Sequence, residues 1–208
     1  WAITLLLGFC VAYFLVFYIN SIPLQVTLFL ICTIPFWTSN VIRMVAWIPL
    51  LGRNGLVNDL LLSSGIIQEP VEWLLYSNFS VILALVHLYT LFMIVPIFNS
   101  MLRIDKEVIE AAYDAGASQI QVITSVIIPL CKPGIIIGSI FVITVVMGDF
   151  LTIGITGGQQ LASVGKIINT EMNYLQLPGA AANSVILLVI TILVIIVMTK
   201  FIDIRKEL

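Results

Sequence analysis

The chain has 208 residues, of which 61% are hydrophobic and 10% charged, and its mean hydropathy is +1.15. A soluble domain carries about 25% charged residues, so a soluble globular domain is excluded and a polytopic α-helical membrane protein is expected. The formal net charge of −2 says little, because in a membrane protein the placement of charge matters more than its sum.

Residues 1 to 42 contain no charged side chain, nor do 73 to 102 (His87 aside), 133 to 148 or 172 to 199. A span needs about 20 apolar residues, and these runs supply five. Trp1 to Ile19 is the first, ended by the turn cluster Asn20-Ser21-Ile22-Pro23. Leu24 to about Trp47 is the second, kinked at Pro35, with Arg43, Trp47 and Pro49 near its end. Residues 50 to 79 read as an extramembrane excursion holding a turn at 51–55 and a short amphipathic helix from Val57 to Gly65. The third span runs from about Phe79 to Ser100 and contains His87 and Pro96.

Of the nine basic and eleven acidic residues, six fall between Arg103 and Asp114. Asp105 suits the N-cap of a helix starting at Lys106, with Glu107 and Glu110 near its positive end. Gly116 ends that helix as a C′ residue does. Ser118 caps a second helix that runs to Ile128 and stops before Pro129. This helix–turn–helix, residues 103–133, is either an ordinary solvated loop or a docking element for a soluble partner.

Gly134 to about Ile155 is the fourth span, interrupted at Gly148-Asp149. A second polar excursion extends from Thr156 to Pro178-Gly179 and carries Lys166 and Glu171. Ala181 to Thr199 is the fifth span, closed by Lys200, Asp203, Arg205 and Lys206. Five spans put residues 103–133 and the C-terminus on one side with six basic residues, against three at Arg43, Arg53 and Lys166. The positive-inside rule places that side in the cytoplasm. The N-terminus then falls outside the cytoplasm with no leader, so a helix ahead of Trp1 and six spans in the full chain are expected. Cys10, Cys32 and Cys131 show neither metal nor disulfide spacing, and no metal site or catalytic set is expected.

The hairpin carries a more specific signal. Glu110-Ala111-Ala112, three residues, Gly116, nine residues and Val126-Ile127-Ile128-Pro129 resemble the cytoplasmic EAA loop of binding-protein-dependent ABC importer permeases. Val126 and Ile128 stand where that family has Ile and Leu. The resemblance implies the type I ABC importer permease fold, an all-α transmembrane bundle, with 1–208 as one transmembrane domain. It implies that the first hairpin helix docks on an ATPase, with Glu110, Ala111, Ala112, Asp114, Gly116 and Pro129 as the coupling positions. It also implies two cytoplasmic ATPase subunits, a second permease (homologous or identical), a periplasmic or lipid-anchored binding protein, and a bacterial inner-membrane location. ATP and Mg would act in the ATPase, since this chain has no phosphate loop and is expected to hold no cofactor. No nucleic-acid partner is expected.

A narrower resemblance links Ile34 to Arg43, Gly52 to Asn58, Met147-Gly148, Gly157-Gly158 and Val164 to Ile168 to the spermidine/putrescine permeases of the B type. It implies a polyamine or a similar cationic solute. Other members of that group imply alternatives: an amino acid derivative, an opine-like or a phosphonate compound.

For the translocation path the candidates are Asp149, Trp37, Asn40, Arg43 and Trp47. A carboxylate in hydrocarbon costs at least about 2.5 kcal/mol, so Asp149 either lines a wet path that attracts a cation or sits solvated at the outer end of its span. The tryptophans, with Phe36, suit an aromatic gate or lipid-boundary anchors. His87 suits packing or a proton relay. A secondary transporter would need several intramembrane charges and inverted repeats; one candidate charge and no repeat are visible. A membrane enzyme would need a catalytic constellation, and the chain has one histidine.

Overall fold

In lipid every backbone N–H and C=O must be satisfied within its own segment or barrel, and the regular structure among the described residues is all helical. A computed structural model describes residues 1–158 and 161–200. Gln159 and Gln160, and the terminal charges Asp203, Arg205 and Lys206 with the expected side of the C-terminus, lie outside the described residues.

α1 (Ala2–Tyr13) widens into one π turn, Phe14–Tyr18, and ends ahead of Asn20 as expected. The Gln25 side-chain amide donates to the Leu15 carbonyl inside that turn at 2.9 Å. α2 (Ile22–Thr33) leads into a 3-10 turn, Ile34–Trp37. The single kinked span expected from Leu24 to Trp47 is corrected here: the chain bends by 89° between Ile22–Trp37 and Asn40–Ser63. Pro35 supplies no N–H, the tight 3-10 turn ends the helix, and Ser39 is extended (φ −57°, ψ 133°) before the next helix starts. α3 (Asn40–Val45), α4 (Trp47–Leu51) and α5 (Leu56–Ser63) follow. The last is the short helix expected in the first excursion.

α6 (Asn78–Leu102) is the third span and runs unbroken through Pro96. α7 (Lys106–Asp114) and α8 (Gln119–Val122) form the expected helix, glycine turn and helix. The second arm does not stop before Pro129. It passes through a π turn, Ile123–Ile127, into α9 (Ile128–Leu130) and breaks at Cys131. A proline clashes with the carbonyl four residues before it, and the wider π turn gives that carbonyl room. The bend of 68° lies instead between Gln119–Leu130 and Lys132–Gly148.

α10 (Lys132–Gly148) and α11 (Leu151–Thr156) flank the expected interruption. The second excursion contains a regular helix, α12 (Val164–Asn173), where only a polar stretch is expected. α13 (Leu177–Thr199) begins four residues earlier than Ala181, because proline is well suited to a first helical turn and Pro178 occupies one. By length and composition, Glu72–Leu102 and Leu177–Thr199 are each able to cross a membrane. Each of the two bent pairs is apolar enough to make one further span, and Ala2–Tyr18 is a shorter apolar helix.

The chain divides into two compact units. The first contains Trp1–Thr33, Tyr89–Ile143 and the described chain from Leu193. Its core is built on close helix approach at small residues, as is usual between membrane helices. Gly134 and Gly138 lie four apart on α10. A Cβ on Gly138 would come 2.7 Å from Met93 Sδ, and one on Gly134 would meet the Pro96 carbonyl and lie 2.5 Å from Ser100 Oγ. Gly8 of α1 approaches Met93 equally closely. Met93, Ile97 and Met101 are fully buried as a result, and Phe29 stacks on Phe98 with ring centroids 4.5 Å apart.

The second unit contains Ile34–Leu88 and Thr144–Ile192. Leu51, Leu74 and Leu75 are buried there against Trp47, Ile48, Val57, Val71 and Leu83. Asn58, completely buried, pins the first excursion: its side-chain amide donates to the carbonyls of Gly52 and Val71, and its Oδ1 accepts from the Val71 amide. The exposed Arg53–Glu72 pair at 3.1 Å adds little by comparison.

Candidate functional site

α7 is a nine-residue helix with no buried residue. Asp105 takes the N-cap position with extended backbone (φ −64°, ψ 130°) but its side chain makes no cap hydrogen bond. Glu107 in the first turn complements the helix dipole. Ile109 and Ala112 are half-buried and lean on the protein, whereas Glu110, Ala111, Tyr113 and Asp114 are exposed. The helix therefore presents the carboxylates of Glu107, Glu110 and Asp114 around the small Ala111, flanked by the exposed Val108 and Tyr113.

The turn is a Schellman motif. Gly116 has φ +85°, the left-handed region that side chains with a Cβ rarely adopt. Its amide donates to the Tyr113 carbonyl at 2.8 Å, and the Ala117 amide donates to the Ala112 carbonyl at 3.1 Å. Nothing lies within 4 Å of where a Cβ on Gly116 would be, so backbone conformation, and not packing, makes glycine necessary. The next helix opens on a capping box: Gln121 N–H donates to Ser118 Oγ and Ser118 N–H donates to Gln121 Oε1. Ser-x-x-Gln is legible in the sequence as this box. Pro129, also exposed, lies beyond the π turn on the second arm.

The path candidates lie in the second unit, around two chain breaks. Trp37 is 84% exposed at the corner before α3. Asn40 and Arg43, three apart on α3, and Trp47, the first residue of α4, follow. Their Oδ1, Nε and Nε1 atoms are buried and make no hydrogen bond. The Trp47 ring meets the His87 ring edge-on, centroids 5.5 Å apart, a packing contact. Asp149 is only 8% exposed. Its carboxylate accepts from Thr152 N–H at 2.9 Å and from Thr152 Oγ1 at 2.5 Å. α11, which it caps in this way, packs against α3.

The segment after this break is held closely to it. Ser163 Oγ donates to the Asp149 carbonyl at 3.1 Å while accepting from the Lys166 amide. Lys166 Nζ donates to the carbonyls of Gly158 and Leu161 at 2.6 and 2.9 Å. Gly165 sits where a Cβ would come within 2.5 Å of the Gly148 carbonyl. The Gly-Lys pair 165–166 is thus a fastening between α12 and the broken span.

Sequence reasoning did not find Tyr18, Gln25 and Gln119. Gln119 Nε2 donates to the Tyr18 hydroxyl at 3.2 Å, and no motif or spacing announces a pair separated by 101 residues.

Residues 6–205 match the family described as binding-protein-dependent transport system inner membrane component. The spermidine/putrescine transport system permease protein PotB of Escherichia coli is 34% identical over 196 residues, covering 93% of this chain and 70% of the relative. The protein of the same description from Haemophilus influenzae is 38% identical over 144 residues, covering 69% of this chain and 50% of that one. An inner membrane ABC transporter permease protein of E. coli is 25% identical over 190 residues, covering 85% and 59%. With a helical, lipid-compatible fold and a match along nearly its whole length, this chain belongs to the family of binding-protein-dependent transport system inner membrane components.

Proposed function

We propose that this chain is the permease subunit of an ATP-driven importer that passes a polyamine, or a similar cationic solute, inward from a soluble binding protein. The observation that carries this reading is the exposed Glu110-Ala111-Ala112 helix closed by a left-handed Gly116. Such an element contains no chemistry of its own and suits contact with a partner. The partners are two cytoplasmic ATPase subunits, which hold ATP and Mg, a second permease, identical or homologous, and the binding protein. Residues 103–133 lie in the cytoplasm in this reading, as the basic residues Arg103, Lys106 and Lys132 favour. Closure of the ATPases displaces α7, and the helices joined to it carry that displacement into the bundle, giving alternating access.

The polyamine assignment is supported by the relatives, which are spermidine/putrescine transport system permease proteins, and by a buried carboxylate at Asp149 beside a break in a span. Asp149, Trp37, Asn40, Arg43 and Trp47 are the path candidates. The unbonded polar atoms of Asn40, Arg43 and Trp47 support a role toward solute or the second permease, since buried polar atoms are normally paired.

The experiment is purification of the intact transporter with its binding protein. An ATPase subunit that accompanies the chain, and is lost when Glu110 is changed to Lys, supports the reading. Solute uptake without any ATPase would sink it. Mass spectrometry of what the binding protein retains tests the substrate: spermidine or putrescine supports the assignment, and an anion or neutral sugar overturns it.

A further inference from the structure

Between the foot of α1 and the hairpin lies a cavity of about 340 Å³, lined by Tyr13, Phe17, Tyr18, Lys106, Glu110 and Gln119 among others. The aromatic rings form one wall: Tyr13 contacts Phe17 at 5.1 Å and Tyr18 at 5.9 Å. The opposite wall is α7, at the positions that include Glu110. The rings face α7 across this space. A polar link from Tyr18, in the π turn that follows α1, to the hairpin is the exposed Gln119–Tyr18 hydrogen bond at 3.2 Å. Gln119 is the first residue of α8, inside the Ser118–Gln121 capping box, so its backbone is set by the turn that ends α7. At its other end Tyr18 closes the π turn, whose Leu15 carbonyl is tied to α2 through Gln25.

We infer that Tyr18 and Gln119 are a positioning pair, a strut that makes α1 and α2 follow the hairpin, with the cavity leaving α7 room to pivot about it. This rests on the reading of the hairpin as the ATPase-coupling element. A hairpin joined only to α6 and α10 would reach α1 and α2 only indirectly, through their packing on α6 at Gly8–Met93 and Phe29–Phe98. The strut adds a direct link from the hairpin to that pair through two hydrogen bonds, Gln119 to Tyr18 and Gln25 to Leu15.

The test uses the assembled transporter in detergent and reads ATP hydrolysis with and without the binding protein for the native chain, Tyr18→Phe, Gln119→Leu and the double variant. Tyr18→Phe removes one hydroxyl and keeps the ring wall, so assembly and basal hydrolysis are expected to persist. Stimulation by the binding protein is expected to fall about threefold, the order of one hydrogen bond, and the double variant is expected to be no worse than either single one. A second readout, spermidine taken up per ATP in liposomes, falls by the same factor. Unchanged stimulation in both single variants, a double variant in which the losses multiply, or a fall matched by loss of assembly overturns the strut. An unmodified chain that carries no ATPase instead overturns the coupling reading on which the strut rests, so the two failures are distinguishable.

Discussion

The Ala117 amide donates to the Ala112 carbonyl across Gly116, whose φ is +85°. That bond reverses the chain in a single residue between α7 and the Ser118 cap. It ties the position of an exposed Glu-Ala-Ala surface to the helix that leads into the membrane.

Gly116 therefore tolerates side chains in a set order. Asn, which visits left-handed backbone most readily, is expected to cost least, Ala about 1 kcal/mol, and a β-branched Val more. Since the Cβ meets open space, the cost is backbone strain confined to the hairpin turn and is expected to show in ATPase capture more than in global thermal unfolding. Co-purification yield set beside the melting temperature checks it, and a uniform melting loss across the series would contradict it.

The capping box makes a second, milder case. Ser118→Ala removes an acceptor for the Gln121 amide and is expected to cost about 1 kcal/mol of local stability. Faster amide hydrogen exchange over 119–122, with α6 unchanged, is the measurement.

Gly134 and Gly138 separate by what an added methyl group would strike. At Gly134 it meets the Pro96 backbone carbonyl; at Gly138 it meets Met93 Sδ, the far end of a flexible side chain, although Pro96 and the Met93 backbone are also near. Gly134→Ala is expected to destabilise more than Gly138→Ala, with overpacking costs of about 1–3 kcal/mol. Thermal unfolding in detergent gives the order.

Asn58→Ala deletes three hydrogen bonds and leaves the Val71 amide and carbonyl without that partner, while the Gly52 carbonyl keeps the Gly55 amide. Buried groups left unpaired cost about 1–3 kcal/mol each, so the excursion from Gly52 to Val71 is expected to open. Limited proteolysis between Ser64 and Val71 should accelerate strongly, and an unchanged cleavage rate would show that the leucine core there suffices alone.

Asp149 has two separable functions. Thr152→Val removes the hydroxyl donor to its carboxylate but leaves the charge, whereas Asp149→Asn removes the charge and nearly keeps the shape. If the carboxylate attracts a cation, Asp149→Asn lowers spermidine uptake well beyond Thr152→Val, at equal expression. Equal losses would make Asp149 a cap for α11 and no more.

Read residue by residue, the sequence determined the membrane class, five apolar segments, the break at Gly148-Asp149 and the hairpin with its Gly116 turn and Ser118 cap. Those features depend on composition and on bonds between residues a few places apart, which local order encodes. It also determined that Pro35 and Pro129 perturb helices, but not how. The corner falls at Thr38-Ser39 and the second arm continues to Leu130, because a 3-10 turn in one case and a π turn in the other accommodate the proline. The helix from Val164 to Asn173, the burial of Asp149, the pinning by Asn58 and the Tyr18–Gln119 bond were decided only by tertiary structure. Each depends on groups brought together across a turn or from distant segments, and no local pattern of hydropathy or charge records which hydroxyl or carbonyl a side chain will reach. The hairpin that stood out first as a charged island is thus joined to the chain at a third place, the hydroxyl of Tyr18.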